Sequence, residues 1–316
     1  MLPKPFTLAL VVPCYNEEEV LPKTKGELQK LLDRLRQKGL VNQESFICFV
    51  DDGSSDRTWE LIEKFSKEPS VKGLKLSRNC GHQNALLAGL FYVEGVCDAA
   101  VSLDADLQDD ISVVEQMCEK FLQGYEIVYG VRKRRDTDTF FKRTSAEGFY
   151  KLMRFMGVEI VENHADFRLM SKRSLKWLKE FEEVNLFLRG IIPLLGLKSD
   201  VVYYDRKERF AGESKYPLKK MLAFAWDGIT SFSVAPLRFI TVLGGVVLVL
   251  SLILSIWALA AKLSGAAVSG WTSMMLIVLF LGGVQMLSIG IIGEYIGKIY
   301  KETKRRPRFF VEKIEG

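Results

Sequence analysis

Asp104-Ala105-Asp106 places two carboxylates two residues apart, straight after the apolar run Ala99–Leu103. A strand leading into such a pair can turn both side chains towards one site beyond its end. Hard oxygen ligands with open coordination positions suit Mg2+ or Mn2+ shared with a diphosphate. Gln108 continues the alternation and could supply a third oxygen. The plainer alternative is a polar loop capping a helix that starts at Ile111, for which Asp109 or Asp110 suffices.

Two further polar clusters succeed apolar runs. Asp51-Asp52-Gly53-Ser54 comes after Phe46–Val50, and part of it reads as an ordinary turn with Ser55 or Asp56 as the next N-cap. Two adjacent carboxylates exceed what a turn needs, and one of them could accept the imide N–H of a uracil. Pro13, Tyr15 and Glu17, after Thr7–Val12, form the opposite wall in that reading. Tyr15 offers a face for stacking a base, while Glu17 is equally a first-turn helix acid favoured by the dipole. Arg132 lies just past the run Glu126–Gly130, whereas its neighbours Lys133 to Arg135 read as a solvated charge run. Arg206 and Arg209 precede a glycine-containing loop, where a guanidinium fork could clamp a phosphate bidentately.

The elements that must position these groups alternate in type. Candidate strands are Thr7–Val12, Phe46–Val50, Lys72–Leu76, Ala99–Leu103 and Glu126–Gly130; the helical segments between them are Glu17–Gln37, Ser55–Phe65, Gln83–Val93 and Ile111–Gln123. Such alternation predicts an α/β domain with a mostly parallel sheet, helices on both faces and ligands at the carboxyl ends of the strands. Thr139–Phe155 and Tyr216–Phe232 read as amphipathic helices of an acceptor- and membrane-docking region.

No charged residue occurs from Phe239 to Ala261 or from Leu263 to Gly293. Each stretch exceeds the roughly 20 residues that cross a bilayer core, so the pair reads as a transmembrane hairpin turning at Lys262–Gly270. Lys215, Lys219, Lys220 and Arg238 precede it, and Lys298, Lys301, Lys304, Arg305, Arg306 and Arg308 come after it. The positive-inside rule then predicts that the N-terminal domain and the C-terminal tail are both cytoplasmic, with the protein in the plasma (inner) membrane. Trp257 and Trp271 fit interfacial anchors on the far side. The expected divisions are a catalytic domain over 1–215, a juxtamembrane segment over 216–235, the hairpin over 236–297 and a basic tail over 298–316.

Phe6 to Val12 is too short for a signal h-region and runs directly into Pro13, so no secretory signal is expected. Five cysteines, an odd number without CxxC spacing, point to reduced thiols in a cytosolic compartment. The net charge of +5, concentrated near the spans, favours anionic headgroups or a lipid phosphate over nucleic acid.

Val11-Val-Pro-Cys-Tyr-Asn-Glu-Glu18, Val50-Asp-Asp-Gly-Ser-Ser-Asp56 and Leu103-Asp-Ala-Asp-Leu-Gln-Asp109 resemble the family 2 inverting glycosyltransferases of GT-A fold, a Rossmann-like architecture. Ala165–Ser171, Glu208–Tyr216, Gly228–Ser233 and Gly293–Gly297, placed around two spans, extend the resemblance nearly end to end. They are similar to the polyprenyl-phosphate glycosyltransferases of the bactoprenol (undecaprenyl phosphate) glucosyltransferase type, related to dolichyl-phosphate mannose synthase. The resemblance implies nucleotide binding by Pro13, Tyr15, Glu17, Asp52 and Asp104, and a metal site of Asp104, Asp106 and Gln108. It implies catalytic carboxylates at Asp166 and Asp106, with Arg168 beside the first. Arg132, Arg143, Arg168, Arg206, Arg209 and Lys215 fall in segments associated with phosphates of donor or lipid. Cys80 and His82 occupy variable positions of a loop beside the donor site. His82 and His164, the only histidines, read as solvated or structural.

The activity implied by this resemblance is transfer of a hexose, glucose first, from a UDP-sugar to polyprenyl phosphate, with Mg2+ or Mn2+ as cofactor. GDP-mannose is the alternative donor. Membrane lipids and other copies of the chain, in a homotetramer, are the further partners the resemblance implies. A processive synthase would carry a Gln-x-x-Arg-Trp motif and more spans. A non-catalytic sugar-nucleotide-binding partner would not need the acidic and basic sets together. A two-metal phosphohydrolase would need a second cluster of ligands.

Overall fold

The computed structural model describes residues 4–132, 164–184, 187–205, 230, 233–264 and 270–316. Most of the two stretches read as amphipathic helices, and Arg143, Arg206, Arg209 and Lys215, lie outside the described residues. The chain divides into two compact units, one of Met1–Tyr150, Glu159–Pro217 and Arg305–Gly316, the other of Lys151–Val158 and Leu218–Lys304.

The first unit is built on a sheet of β1 (Leu8–Cys14), β2 (Phe46–Asp51), β3 (Val71–Leu76), β4 (Ala99–Ser102), β5 (Ile127–Arg132), β6 (His164–Ser171), β7 (Ser199–Tyr204) and β8 (Val311–Glu315). Their order across the sheet is β7-β5-β6-β4-β1-β2-β3-β8. Strands β4, β1, β2 and β3 pair in parallel, as do β5 and β7, whereas β6 is antiparallel to both β4 and β5. Every residue of β1 and β2 is buried, as a strand covered on both faces requires.

Helix α1 (Leu21–Gln37) lays Leu21, Leu28, Leu31, Leu32 and Leu35 on one face of the sheet, at the spacing of a helical stripe. Helices α2 (Thr58–Phe65) and α4 (Val114–Leu122, after a 3-10 turn at Ile111–Val113) contribute Ile62, Val114 and Met117 to the same core. Helix α3 (His82–Val93) covers the opposite face so closely that a Cβ at Gly89 would stand 2.5 Å from Val11 and 2.6 Å from Val50. Short helices α5 (Lys172–Leu178) and α6 (Leu188–Leu194) come after β6. All five cysteines are free, and burial pushes the Cys48 and Cys97 thiols up to about 12.

Residues 298–316, expected as a basic tail, are more structured than that reading. Val311–Glu315 pairs antiparallel with β3, Ser77 N–H donates to the Phe310 carbonyl at 3.0 Å, and Lys75 meets Glu312 at 3.2 Å. The chain therefore returns after its apolar helices to finish the sheet it began.

The second unit holds α7 (Ala235–Leu263) and α8 (Trp271–Thr303). Both contain windows long and apolar enough to cross a membrane, Ala235–Leu254 with mean hydropathy 2.5 and Phe280–Thr303 with 1.3, neither buried by protein. Phe239, Val242, Ile256 and Met286 are among many large apolar side chains left exposed, a surface suited to lipid. The Tyr295 hydroxyl donates to the Ser233 carbonyl at 2.6 Å, tying α8 to the entrance of α7.

Candidate active site

Parallel strands β1, β2 and β4 end on one edge of the sheet, and the loops leaving them interlock. Asn16, in the left-handed region at φ 54, donates its N–H to Ser54 Oγ at 3.0 Å and accepts the Ser55 N–H at 2.9 Å. Glu17 N–H donates to Thr58 Oγ1 at 2.8 Å, and Glu18 accepts from the Arg57 side chain at 3.0 Å. The loop after β4 is fastened from below: Thr24 of α1 donates to the Ala105 carbonyl at 2.6 Å. Leu107 takes φ 47 there, and Asp110 caps the 3-10 turn through Ser112 N–H at 3.2 Å.

Antiparallel β6 completes the site. Because Ser102 pairs with Arg168, the start of β6 lies beside the end of β4, and Asp166 falls next to the Asp104 loop. Ser102 Oγ donates to the Asp166 carbonyl, fixing that juxtaposition. Asp166 Oδ1 accepts from Arg168 Nη2, while Oδ2 faces Arg189 Nη2 at 3.4 Å. His82, the first residue of α3, puts Nε2 3.6 Å from Asp104 Oδ1 and 3.9 Å from Asp166 Oδ2. The imidazole thus stands between the carboxylates of two strands.

The electrostatics separate these acids. Partial burial, then the neighbouring Asp109, Asp166 and Asp106, push the Asp104 carboxyl up, against the pull of His82. Burial also opposes ionisation of Asp166, but Arg168, Arg189 and His82 outweigh it and hold the group well below the usual carboxylate range. Arg168 is 1 % exposed, and its Nε and Nη1 are buried without a partner among the described residues. Asp109, nearly buried, binds Arg132 at 3.0 and 3.1 Å, and Arg132 also donates to the Tyr204 hydroxyl at 3.2 Å.

A carboxyl pushed up by burial and by its acidic neighbours, as Asp104 is, marks a place for a cation. Asp104 and Asp106 have the hard-oxygen chemistry of an Mg2+ or Mn2+ site. Among the described residues no group of three His, Cys, Asp or Glu side chains could hold a metal alone. Oxygens from a bound ligand or from water must therefore complete such a shell.

The model of glycosyl transferase family 2 matches residues 9–178, more than half of the chain. The chain belongs to that family. Residues 235–299 match the GtrB C-terminal hairpin. An uncharacterized glycosyltransferase of Bacillus subtilis, YkoT, is 56% identical over 96% of this chain and 91% of its own length. The prophage bactoprenol glucosyl transferase homolog of Escherichia coli is 41% identical, covering 98% and 99%. The bactoprenol glucosyl transferase of Shigella phage SfX is 42% identical, covering 96% and 98%. The first unit is accordingly a GT-A catalytic domain, and the protein is a glycosyltransferase.

Within this glycosyltransferase the expected residues divide by what they touch. Tyr15 is 47% exposed, open to a base. Pro13 is buried within β1 opposite Val50, so its backbone is what it offers. Asp52 is turned inward: its oxygens accept the Cys80 N–H at 2.7 Å and the Gly81 N–H at 2.9 Å, which builds the loop before α3. Asp51 accepts the Ser54 N–H at 3.3 Å and keeps Oδ2 buried without a partner among the described residues. Gln108 is 4% exposed and donates its side-chain amide to Asp106 at 2.7 Å, so it holds that carboxylate where an oxygen ligand was expected.

Arg168 and Arg132 depart furthest from the phosphate-binding expectation. The first is interior, because β6 buries it beneath Asp166, and the second is engaged by Asp109 and Tyr204. His82 departs the other way, from a bland surface residue to the centre of the site. Arg189 is a site residue that the sequence reading misses; a lone arginine inside the apolar run Phe187–Leu194 is the available signal.

Proposed function

We propose that this glycosyltransferase moves a hexose, glucose first, from a UDP-sugar to polyprenyl (undecaprenyl) phosphate at the cytoplasmic membrane face, inverting the anomeric centre. The observation that carries the reading is near-full-length similarity, hairpin included, to proteins called bactoprenol glucosyl transferases. The acidic and cationic groups gathered between β4 and β6 fit a reaction between two anions.

In the proposed step an oxygen lone pair of the lipid phosphate forms a bond to C1 of the sugar. The bond from C1 to the diphosphate breaks, and UDP leaves with its electrons. Asp104 and Asp106 would hold Mg2+ or Mn2+, which would supply positive charge to the leaving diphosphate. Tyr15 stacks the base, and the Asn16–Glu18 loop, locked to Ser54–Thr58, keeps that stacking face in place. The acceptor needs little help to ionise, since a phosphate monoester has its second pKa near ~6. Asp166, held as a carboxylate by arginines, organises cationic side chains and takes no proton. Arg143, Arg206, Arg209 and Lys215 remain candidates for phosphate contacts nearer the membrane, and the tail and domain share the cytoplasmic side.

A panel of labelled sugar nucleotides given to the purified protein with undecaprenyl phosphate tests this reading. UDP-glucose should yield a glycosylated lipid monophosphate whose formation stops with chelator. Labelled lipid from GDP-mannose alone would shift the donor assignment, and no lipid product from any donor would remove the proposal.

A further inference from the structure

Among the described residues three guanidiniums face the carboxylates of the site, and Arg189 makes the longest contact of the three. Asp109 is answered by Arg132, and buried Arg168 has Asp166 as its counter-ion. A buried guanidinium left without a carboxylate is strongly destabilising, so the charge of Asp166 is already committed to Arg168. Asp104 and Asp106 would take a divalent cation in the proposed reaction, and among the described residues Arg189 has only a shared, long contact with a carboxylate. Its contact with Asp166 is a single N–H at 3.4 Å, longer than a strong charge-assisted bond, and its side chain is 33% exposed.

Its position is fixed independently of that contact. Arg189 is the second residue of α6, and Leu188 N–H, one residue earlier, donates to Gln83 Oε1 of α3 at 3.2 Å. That bond sets Arg189 beside His82, so both side chains reach Asp166 Oδ2 from adjacent helices. Among the described residues the other guanidinium N–H groups of Arg189 have no partner, and a fork of this kind matches two oxygens of one phosphate. The location is also suitable. His82 reaches both Asp104, at the proposed diphosphate end, and Asp166, so an anion on Arg189 would sit alongside the sugar that must be attacked.

We infer that Arg189 is the ligand for the phosphate group of the acceptor, with Asp166 as the residue that aims it. This rests on the polyprenyl-phosphate reading and adds the residue that binds the nucleophile. Asp166 then serves two arginines, one structural and interior, one facing substrate.

The test compares wild type, Arg189→Gln and Arg189→Lys in detergent, varying undecaprenyl phosphate at saturating UDP-sugar and titrating UDP-sugar binding separately. For Arg189→Gln the KM for undecaprenyl phosphate should rise by about tenfold or more, with UDP-sugar affinity within about twofold of wild type. Arg189→Lys, which keeps the charge but not the fork, should recover part of that loss. An unchanged acceptor KM, or weakened UDP-sugar binding in equal measure, overturns the inference, the second by assigning Arg189 to the donor. Should Arg189→Gln melt early, Arg189→Lys carries the same comparison, read by the same two criteria. Wild-type protein that glycosylates no polyprenyl phosphate fails the underlying reading, and this inference with it. Normal wild-type turnover with an unmoved acceptor KM fails the inference alone.

Discussion

A carboxylate facing two guanidiniums gives up its proton readily and takes one back reluctantly, and Arg168 and Arg189 put Asp166 in that position. Its folded-state pKa is depressed, so its contribution to stability is complete above the unfolded value and is lost as pH falls through the folded one. Asp166→Asn should therefore cost about 3–5 kcal/mol at neutral pH by stranding buried Arg168. The gap to wild type should narrow below about pH 4. Urea melts of both proteins between neutral and acid pH check this; a gap independent of pH would mean that the loss is steric. Asp104 lies at the opposite extreme, because burial and its acidic neighbours already penalise its charge. Asp104→Asn should leave the melting temperature unchanged or raised while lowering metal-dependent transfer by about 10²–10³-fold, and Asp106→Asn should lose transfer similarly. Turnover of either variant at the wild-type rate under limiting metal would remove the cation from the mechanism.

At the scale of elements, the arrangement depends on one strand running against its neighbours and on another supplied from far along the chain. Removing Phe310–Gly316 strips β3 of its partner and opens Leu74 and Leu76 to solvent from the edge. That truncation should lower the thermal midpoint of the catalytic domain by several degrees, although it touches no residue of the site. Scanning calorimetry of the truncated and full chains decides it, and equal midpoints would make β8 an ornament. The sequence shows β1, β2, β4 and β5 because their apolar residues are nearly uninterrupted, and their polar ends mark the loops. It hides β6, since Asp166 and Arg168 break the apolar pattern and the pairing with Ser102 is a long-range event. It hides β8 because Val311-Glu-Lys-Ile-Glu315 reads as a charged tail until an edge is available for it. His82 and Arg189 are illegible for the same reason. Their meaning comes from the helices α3 and α6 meeting over Asp166, which no local spacing reveals. Conversely, the helix expected from Glu17 starts only at Leu21, because Asn16 and its neighbours are engaged by the loop after β2.

For the whole molecule, the exposed apolar surface of α7 and α8 predicts that the protein stays with membranes through high-salt and alkaline carbonate washes, as a spanning hairpin does. Release into the supernatant would show that the helices only lie on the surface. In the proposed function a membrane hairpin would keep the catalytic domain on the bilayer that presents a lipid phosphate, with Arg189 facing that acceptor. The most direct test of that coupling is UDP release by purified protein in detergent with UDP-glucose and Mg2+ or Mn2+, with and without undecaprenyl phosphate. The predicted result is release that rises at least about tenfold on adding the lipid phosphate, but not on adding undecaprenol. Release at the same rate with either lipid, or with none, would contradict a phosphate acceptor.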